Sequence, residues 1–269
     1  MITKQAPIGI FDSGIGGLTV AQAVMKALPG EQIIYFGDTA RVPYGIKSVD
    51  TVRKYSLEIA DFLIGKGAKM VLIACNTASS AAEEQIKAKC RDIPVLGVIE
   101  AGARVASNLK EHQNVGVIGT LATIESNAYK KALLKLDPSI SVFSRACPLL
   151  VPLAEEGWTH NEIAEQVLHV YLDEIMKQDL DALILGCTHY PLFKESIAKV
   201  LSGHQLSIID SAVAIAEMAK SSLQQMDILN PGSSGSFECY VSDKPQRFQI
   251  LAERFLGKEL NSVEIVDLK

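Results

Sequence analysis

Short apolar runs of strand length alternate with amphipathic helical patterns along almost the whole chain, and this alternation limits the fold more than any other feature. Ile8 to Phe11, Gln32 to Phe36, Lys69 to Ala74 and Pro94 to Val98 read as strands, with helices predicted over Gly17 to Leu28, Val49 to Ile64 and Ala78 to Lys89. Within the second of these helices, Val52, Tyr55, Ile59, Phe62 and Leu63 recur near the 3.6-residue period. A second series begins near Val98. It has predicted strands at Asn114 to Ile118, Ile140 to Ser144, Leu180 to Leu185 and Leu206 to Ile209, and helices over Leu121 to Leu134, Asn161 to Met176, Leu192 to Leu201 and Ala212 to Ser222. Beyond the turn-forming stretch Asn230 to Ser236, a strand (Phe237 to Val241), a helix (Gln246 to Phe255) and an edge strand (Val263 to Val266) make a tail too short for a domain of its own. Such a βα series predicts an α/β fold with largely parallel sheets covered by helices.

Composition narrows the function classes. With 48% apolar and 21% charged residues in 269, there is ample material for buried sheets and little character of a disordered chain. A net charge of -5 argues against a general nucleic-acid surface, and no basic run interleaved with aromatics is present. The apolar runs are strand-sized, far below the length of a membrane span. Met1 to Pro7 has no secretory pattern, and the five cysteines lack disulfide-like spacing, so a cytoplasmic, reducing setting is expected.

Two of those cysteines stand in matched places. Met70-Val71-Leu72-Ile73-Ala74-Cys75-Asn76-Thr77 and Ala182-Leu183-Ile184-Leu185-Gly186-Cys187-Thr188-His189 each run from a buried strand into a thiol followed by small polar residues. Ligands in open α/β sheets gather beyond the carboxyl ends of the strands. Two thiols on opposite sides of a small molecule could take a proton from one face and return one to the other. The alternative is a pair of buried cysteines acting as small hydrophobes. Asp12-Ser13-Gly14-Ile15-Gly16-Gly17 follows the first strand and offers amides to an anion or simply a helix cap, and it lacks a dinucleotide fingerprint. Asp12 could receive an ammonium group or serve a nearby thiol as base partner. Tyr44 and Gly45, in Pro43-Tyr44-Gly45, could close over a ligand or merely form a loop. His189 could tune Cys187 or be a satisfied loop histidine. Glu155 and Glu156 follow an apolar segment and could approach the cleft or be solvated. Without a CxxC pair or an HExxH helix, no metal site is predicted. Nucleophilic acyl chemistry by a Cys-His set stays open, but leaves the second cysteine unexplained.

The ordered motifs Ile10 to Gly17, Gly37-Asp38-Thr39-Ala40-Arg41-Val42-Pro43-Tyr44-Gly45, Ala74-Cys75-Asn76-Thr77-Ala78-Ser79, Gly119-Thr120-Leu121-Ala122-Thr123, Cys147 to Gly157 and Leu185-Gly186-Cys187-Thr188-His189-Tyr190-Pro191 together resemble the glutamate racemases of the cofactor-independent aspartate/glutamate racemase superfamily. The resemblance spans nearly the whole chain. It implies two α/β domains with mainly parallel sheets facing each other across an active-site cleft, 1–97 plus 210–269 forming the first and 98–209 the second. It implies Cys75 and Cys187 as the paired acid/base residues, assisted by Asp12, His189 and Glu155. It further implies Asp12, Ser13, Tyr44, Gly45, Asn76, Thr77, Thr120, Thr123, Thr188 and His189 as contacts for either enantiomer of glutamate. No pyridoxal phosphate, other cofactor or metal is implied; a homodimer and supply of D-glutamate for peptidoglycan are.

Overall fold

The computed structural model describes residues 3–109, 113–257, 259–260 and 262–268. In chain order the first strands are β1 (Ile8–Asp12), β2 (Ile33–Gly37), β3 (Met70–Ile73) and β4 (Val95–Gly97), then β5 (Asn114–Gly119), β6 (Ser141–Ala146), β7 (Ala182–Gly186) and β8 (Ser207–Asp210), and last β9 (Phe237–Val241) and β10 (Glu264–Ile265). Helices α1 (Leu18–Ala27), α2 (Val49–Gly65), α3 (Asn76–Lys89) and α4 (Val98–Ser107) accompany the first four strands. They are followed by α5 (Leu121–Glu125), α6 (Ala128–Leu136), α7 (Leu150–Glu155), α8 (Glu162–Ile175), α9 (Lys194–Val200), α10 (Ser211–Gln225) and α11 (Pro245–Leu256).

Two parallel sheets result. The first has the order β10-β9-β2-β1-β3-β4 and the second β6-β5-β7-β8. Within them, β2-β1-β3-β4 and β6-β5-β7-β8 are the same permutation, so β3 and β7 occupy equivalent places beside the central strands β1 and β5. Residues β1, β2, β3 and β7 are buried throughout, as expected of parallel strands covered on both faces. Alternate residues feed two cores. Ile10 and Leu72 pack with α1, α10 and α11 residues such as Leu18, Ile215 and Phe248, while Phe11 and Ile73 pack with Ile59 and Ala82 of α2 and α3. The second sheet divides likewise: Leu183 and Leu185 face Leu168 and Ile197, and Val117 and Ile184 face Ala103 and Leu133. Among the described residues no helix is long and apolar enough to cross a membrane.

Local chemistry sets the helix starts. Ser48 caps α2 through Thr51 N–H, Asn161 caps α8 through Ala164 N–H, and Asp210 caps α10 through Ala212 N–H. Three features depart from the sequence expectation. The single helix predicted over Leu121 to Leu134 is two, because Asn127 takes the left-handed conformation (φ 54°) between α5 and α6. Helix α4 was not predicted: it begins at Val98, the residue at which the predicted strand ends, and buries Val98, Ile99, Ala101, Gly102, Ala103 and Ala106. Neither was α7, where Pro152 sits in the first turn and needs no intrahelical donor.

Candidate active site

The carboxyl ends of both sheets open into one cavity of about 170 Å³. Cys75 and Cys187, one from the end of each equivalent strand, both line it and both are free thiols. Ser13, Tyr44, Gly45, Asn76, Thr77, Thr120, Glu155, Thr188 and His189 reach its wall as well. Asp12 lies beneath that wall, fully buried, and Thr123 lies behind it.

Cys75 is the N-cap of α3, and its Sγ accepts Ala78 N–H at 3.4 Å. The thiol donates to Ser13 Oγ at 3.7 Å. Burial, reinforced by the negative charge of Asp12, pushes this thiol up to about 12, against the lowering pull of Ala78 N–H and Ser13. Asp12 ends β1 and joins the two halves of the site. Its Oδ2 accepts Gly14 N–H at 2.9 Å, and its Oδ1 accepts the Thr188 hydroxyl at 3.3 Å from the other sheet. Burial raises the Asp12 carboxyl, opposed by the charge of His189 and by Gly14, Gly17 and Thr188 as donors.

Around Cys187 the surroundings differ. His189 Nδ1 lies 3.8 Å from Cys187 Sγ, and Nε2 lies 3.4 Å from Glu155 Oε1 as an ion pair that falls short of hydrogen-bond geometry. Burial works against a charged imidazole here, yet Cys187, Glu155 and Asp12 together raise His189 to about 10. Glu155 is held below the usual carboxylate range, chiefly by His189 and in part by Arg247, although burial opposes this. Phe255 of α11 sets its ring edge-on to the imidazole, 6.1 Å between centroids. His189 is therefore a buried cation between a sulfur and a carboxylate.

Gly16 allows the β1 loop to meet this group. A Cβ there would lie 2.3 Å from Thr188 Oγ1 and 2.6 Å from His189 Nδ1. From the sequence, this glycine reads as part of a turn or helix start that could offer amides to an anion, with no sign of its contact with His189. Tyr44 lines the cavity, but its hydroxyl donates away from it, to the Asp38 carboxylate, which also accepts from Arg41 Nε at 2.7 Å and Ser242 Oγ at 2.8 Å. Asp38, Arg41 and Ser242 thus fix the Tyr44 loop. The motif containing Asp38 and Arg41 was visible, while Ser242 sits 204 residues further on. Beside this loop, the Thr77, Thr120 and Thr123 hydroxyls form a triangle with sides of 3.0, 3.2 and 2.9 Å, and Thr120 also caps α5. Among the described residues, no cluster of three or more His, Cys, Asp or Glu is arranged to hold a metal ion.

The Asp/Glu/Hydantoin racemase family matches residues 18–219, which contain both cysteine-bearing strand ends. A glutamate racemase of Geobacter metallireducens is 49% identical over 263 residues, 97% of each chain. The structure of a Francisella tularensis glutamate racemase in complex with D-glutamate superposes with a TM-score of 0.93 at 44% identity, covering 99% of both chains. That of a glutamate racemase isoform from Bacillus anthracis gives 0.94 at 40% identity, covering 98% of both. The chain belongs to the glutamate racemase family.

Proposed function

We propose that the protein interconverts L- and D-glutamate by a cofactor-independent two-base reaction in which Cys75 and Cys187 are the acid and base. The observation that carries this reading is the pair of free thiols at equivalent strand ends, opening into one cavity with different electrostatic support behind each. One cysteine, as thiolate, takes the α-proton and becomes a thiol. The other, as thiol, delivers its proton to the opposite face and becomes a thiolate. No net proton is lost, and the opposite enantiomer reverses the roles.

In the resting site, Cys75 holds its proton, being buried beside Asp12, while the Cys187 sulfur faces the cationic His189 at 3.8 Å. An α-hydrogen is far less acidic than a thiol, whose ordinary pKa is about 8.5, so charge developing on the substrate carboxylate needs directed donors. Ser13, Asn76, Thr77, Thr120 and Thr188 supply hydroxyl and amide groups at the cavity wall, Tyr44 and Gly45 complete it with Gly45 packed against Thr120, and Thr123 supports the two threonines in front of it. Asp12, beneath the wall, acts on the Cys75 side directly, and Glu155 acts on the Cys187 side through His189.

The same reading divides the chain into 1–97 plus 210–269 and 98–209. It assigns the product to peptidoglycan synthesis in the cytoplasm and expects a homodimer. The test is to incubate the purified protein, free of metal and pyridoxal phosphate, with L-glutamate under reducing conditions and follow circular dichroism. Decay to zero with total glutamate conserved is expected. A constant signal overturns the assignment, and a response to L-aspartate alone moves it to that substrate.

A further inference from the structure

Tyr129 takes no part in the reaction outlined above, yet it touches both halves of the site. It is 2% exposed and lies in the first turn of α6, directly after the Asn127 break. Its hydroxyl donates to Asn76 Oδ1 at 2.7 Å and lies 3.2 Å from Ser211 Oγ, at the start of α10. A phenol has one proton. With that proton committed to Asn76, the second bond runs from the Ser211 hydroxyl to Tyr129, giving a directed chain from Ser211 through Tyr129 to Asn76. The ring is held as tightly as the hydroxyl. A Cβ on Gly186, the residue before Cys187, would lie 3.1 Å from Tyr129 Cε2, and one on Gly102 would lie 2.5 Å from Ser211 Oγ and 3.4 Å from Tyr129 Cε1.

Asn76 follows Cys75 and lines the cavity. Its Oδ1 is occupied by Tyr129, and among the described residues its Nδ2 has no protein acceptor. An amide can turn its oxygen or its nitrogen toward a ligand, and the partner on the other side decides which. We infer that Tyr129 is a positioning residue that holds the Asn76 amide with both N–H donors facing the cavity, so that Asn76 meets an anionic substrate as a donor, while the Tyr129 ring braces the strand end that carries Cys187. Loss of the hydroxyl frees the amide to turn, presenting a carbonyl oxygen to the carboxylate. The inference rests on the proposed glutamate chemistry for its rate effects, but not for the amide orientation itself.

The experiment uses the full chain with Tyr129→Phe, Asn76→Ala and the double substitution, each checked for an unchanged melting profile. Tyr129→Phe is expected to lower kcat/KM in both directions by roughly tenfold to a hundredfold, the loss typical of a donor to a charged group. In the Asn76→Ala background the same substitution is expected to cost no more than about twofold, because its target is gone. Equal losses in both backgrounds overturn the inference. An activity-independent readout is the Asn76 side-chain amide pair in a ¹⁵N spectrum, identified by its absence in Asn76→Ala. It is expected to move in Tyr129→Phe, and an unmoved pair overturns the inference. If the wild type fails to racemise glutamate, the functional proposal falls while this spectral test still decides the role of Tyr129.

Discussion

Cys75 and Cys187 follow equivalent strands of two sheets that share a four-strand order, but their surroundings are opposite in sign. Beside Cys75 are a neutral serine, a helix amide and a buried carboxylate, a setting that keeps the proton on sulfur. Beside Cys187 is a buried imidazolium backed by Glu155. Topology thus repeats the position of the thiol, while a few side chains decide the charge beside it.

The strongest way to break this comparison is to remove each thiol in turn. Cys75→Ser and Cys187→Ser are each expected to lower racemisation by about 10²–10⁴-fold, the scale of general acid–base catalysis, with the fold retained. In deuterated solvent, each variant keeps one base and therefore exchanges the α-hydrogen of only one enantiomer, a different one for each variant. Near-normal racemisation in both directions by either variant sinks the two-thiol proposal.

Next in size is the imidazolium. The folded-state pKa of His189, about 10, lies above its ordinary value of 6.5, so its contribution to stability is complete below pH 6.5 and is lost as pH rises through about 10. Glu155 has the opposite sign: held below its ordinary value of 4.5, it stabilises the fold above that pH and loses its contribution as pH falls. His189→Asn is expected to slow racemisation by roughly tenfold to a hundredfold. Its stability deficit against wild type, measured by urea unfolding across the pH range, is expected to be greatest near pH 6 and to close toward about pH 10. A deficit independent of pH means the ring is neutral, and the contrast between the two halves disappears.

Much of the fold could be read from the chain because parallel strands buried on both faces appear as uninterrupted apolar runs, such as Met70 to Ile73 and Ala182 to Leu185. The break at Asn127 could not, because residues 121–134 keep a helical period through it. Both cysteines are visible for the same reason as their strands: they come directly after the run ends. What escapes is every relation between distant segments. Tyr129 finds Asn76 from 53 residues away and Ser211 from 82, and Gly16 owes its lack of a side chain to Thr188 and His189. Linear spacing carries no signal of these contacts. Asp12 and Thr123 illustrate a subtler limit, since adjacency to a site motif did not show that they stand behind the cavity wall rather than on it.

Gly16→Ala would press first on the Cys187 side. The added methyl would lie well inside contact distance of Thr188 Oγ1 and His189 Nδ1, so the β1 loop or the imidazole must move. Overpacking of this kind costs about 1–3 kcal/mol. The expected signature is lower stability together with a smaller effect of pH on that stability, because His189 is displaced from Cys187 and Glu155. A variant with wild-type stability and an unchanged pH profile would show that the loop yields freely and that the close approach does not hold the histidine in place.

The smallest effect is expected on the Cys75 side, from Ser13→Ala. The thiol–hydroxyl contact is long, 3.7 Å, and neutral at both ends, whereas the Cys187 contact is with a cation. Hydrogen bonds between neutral groups contribute about 0.5–1.5 kcal/mol net, and those to charged groups roughly twice that. Ser13→Ala should therefore reduce kcat/KM by roughly twofold to tenfold, less than His189→Asn, and without changing the alkaline stability profile. Because Ser13 also lines the cavity, part of any loss will appear in KM, while a loss acting through Cys75 will appear in kcat for the enantiomer that needs Cys75 as base. If Ser13→Ala costs as much as His189→Asn in kcat, the two sulfurs are supported equally and the opposition between them is wrong.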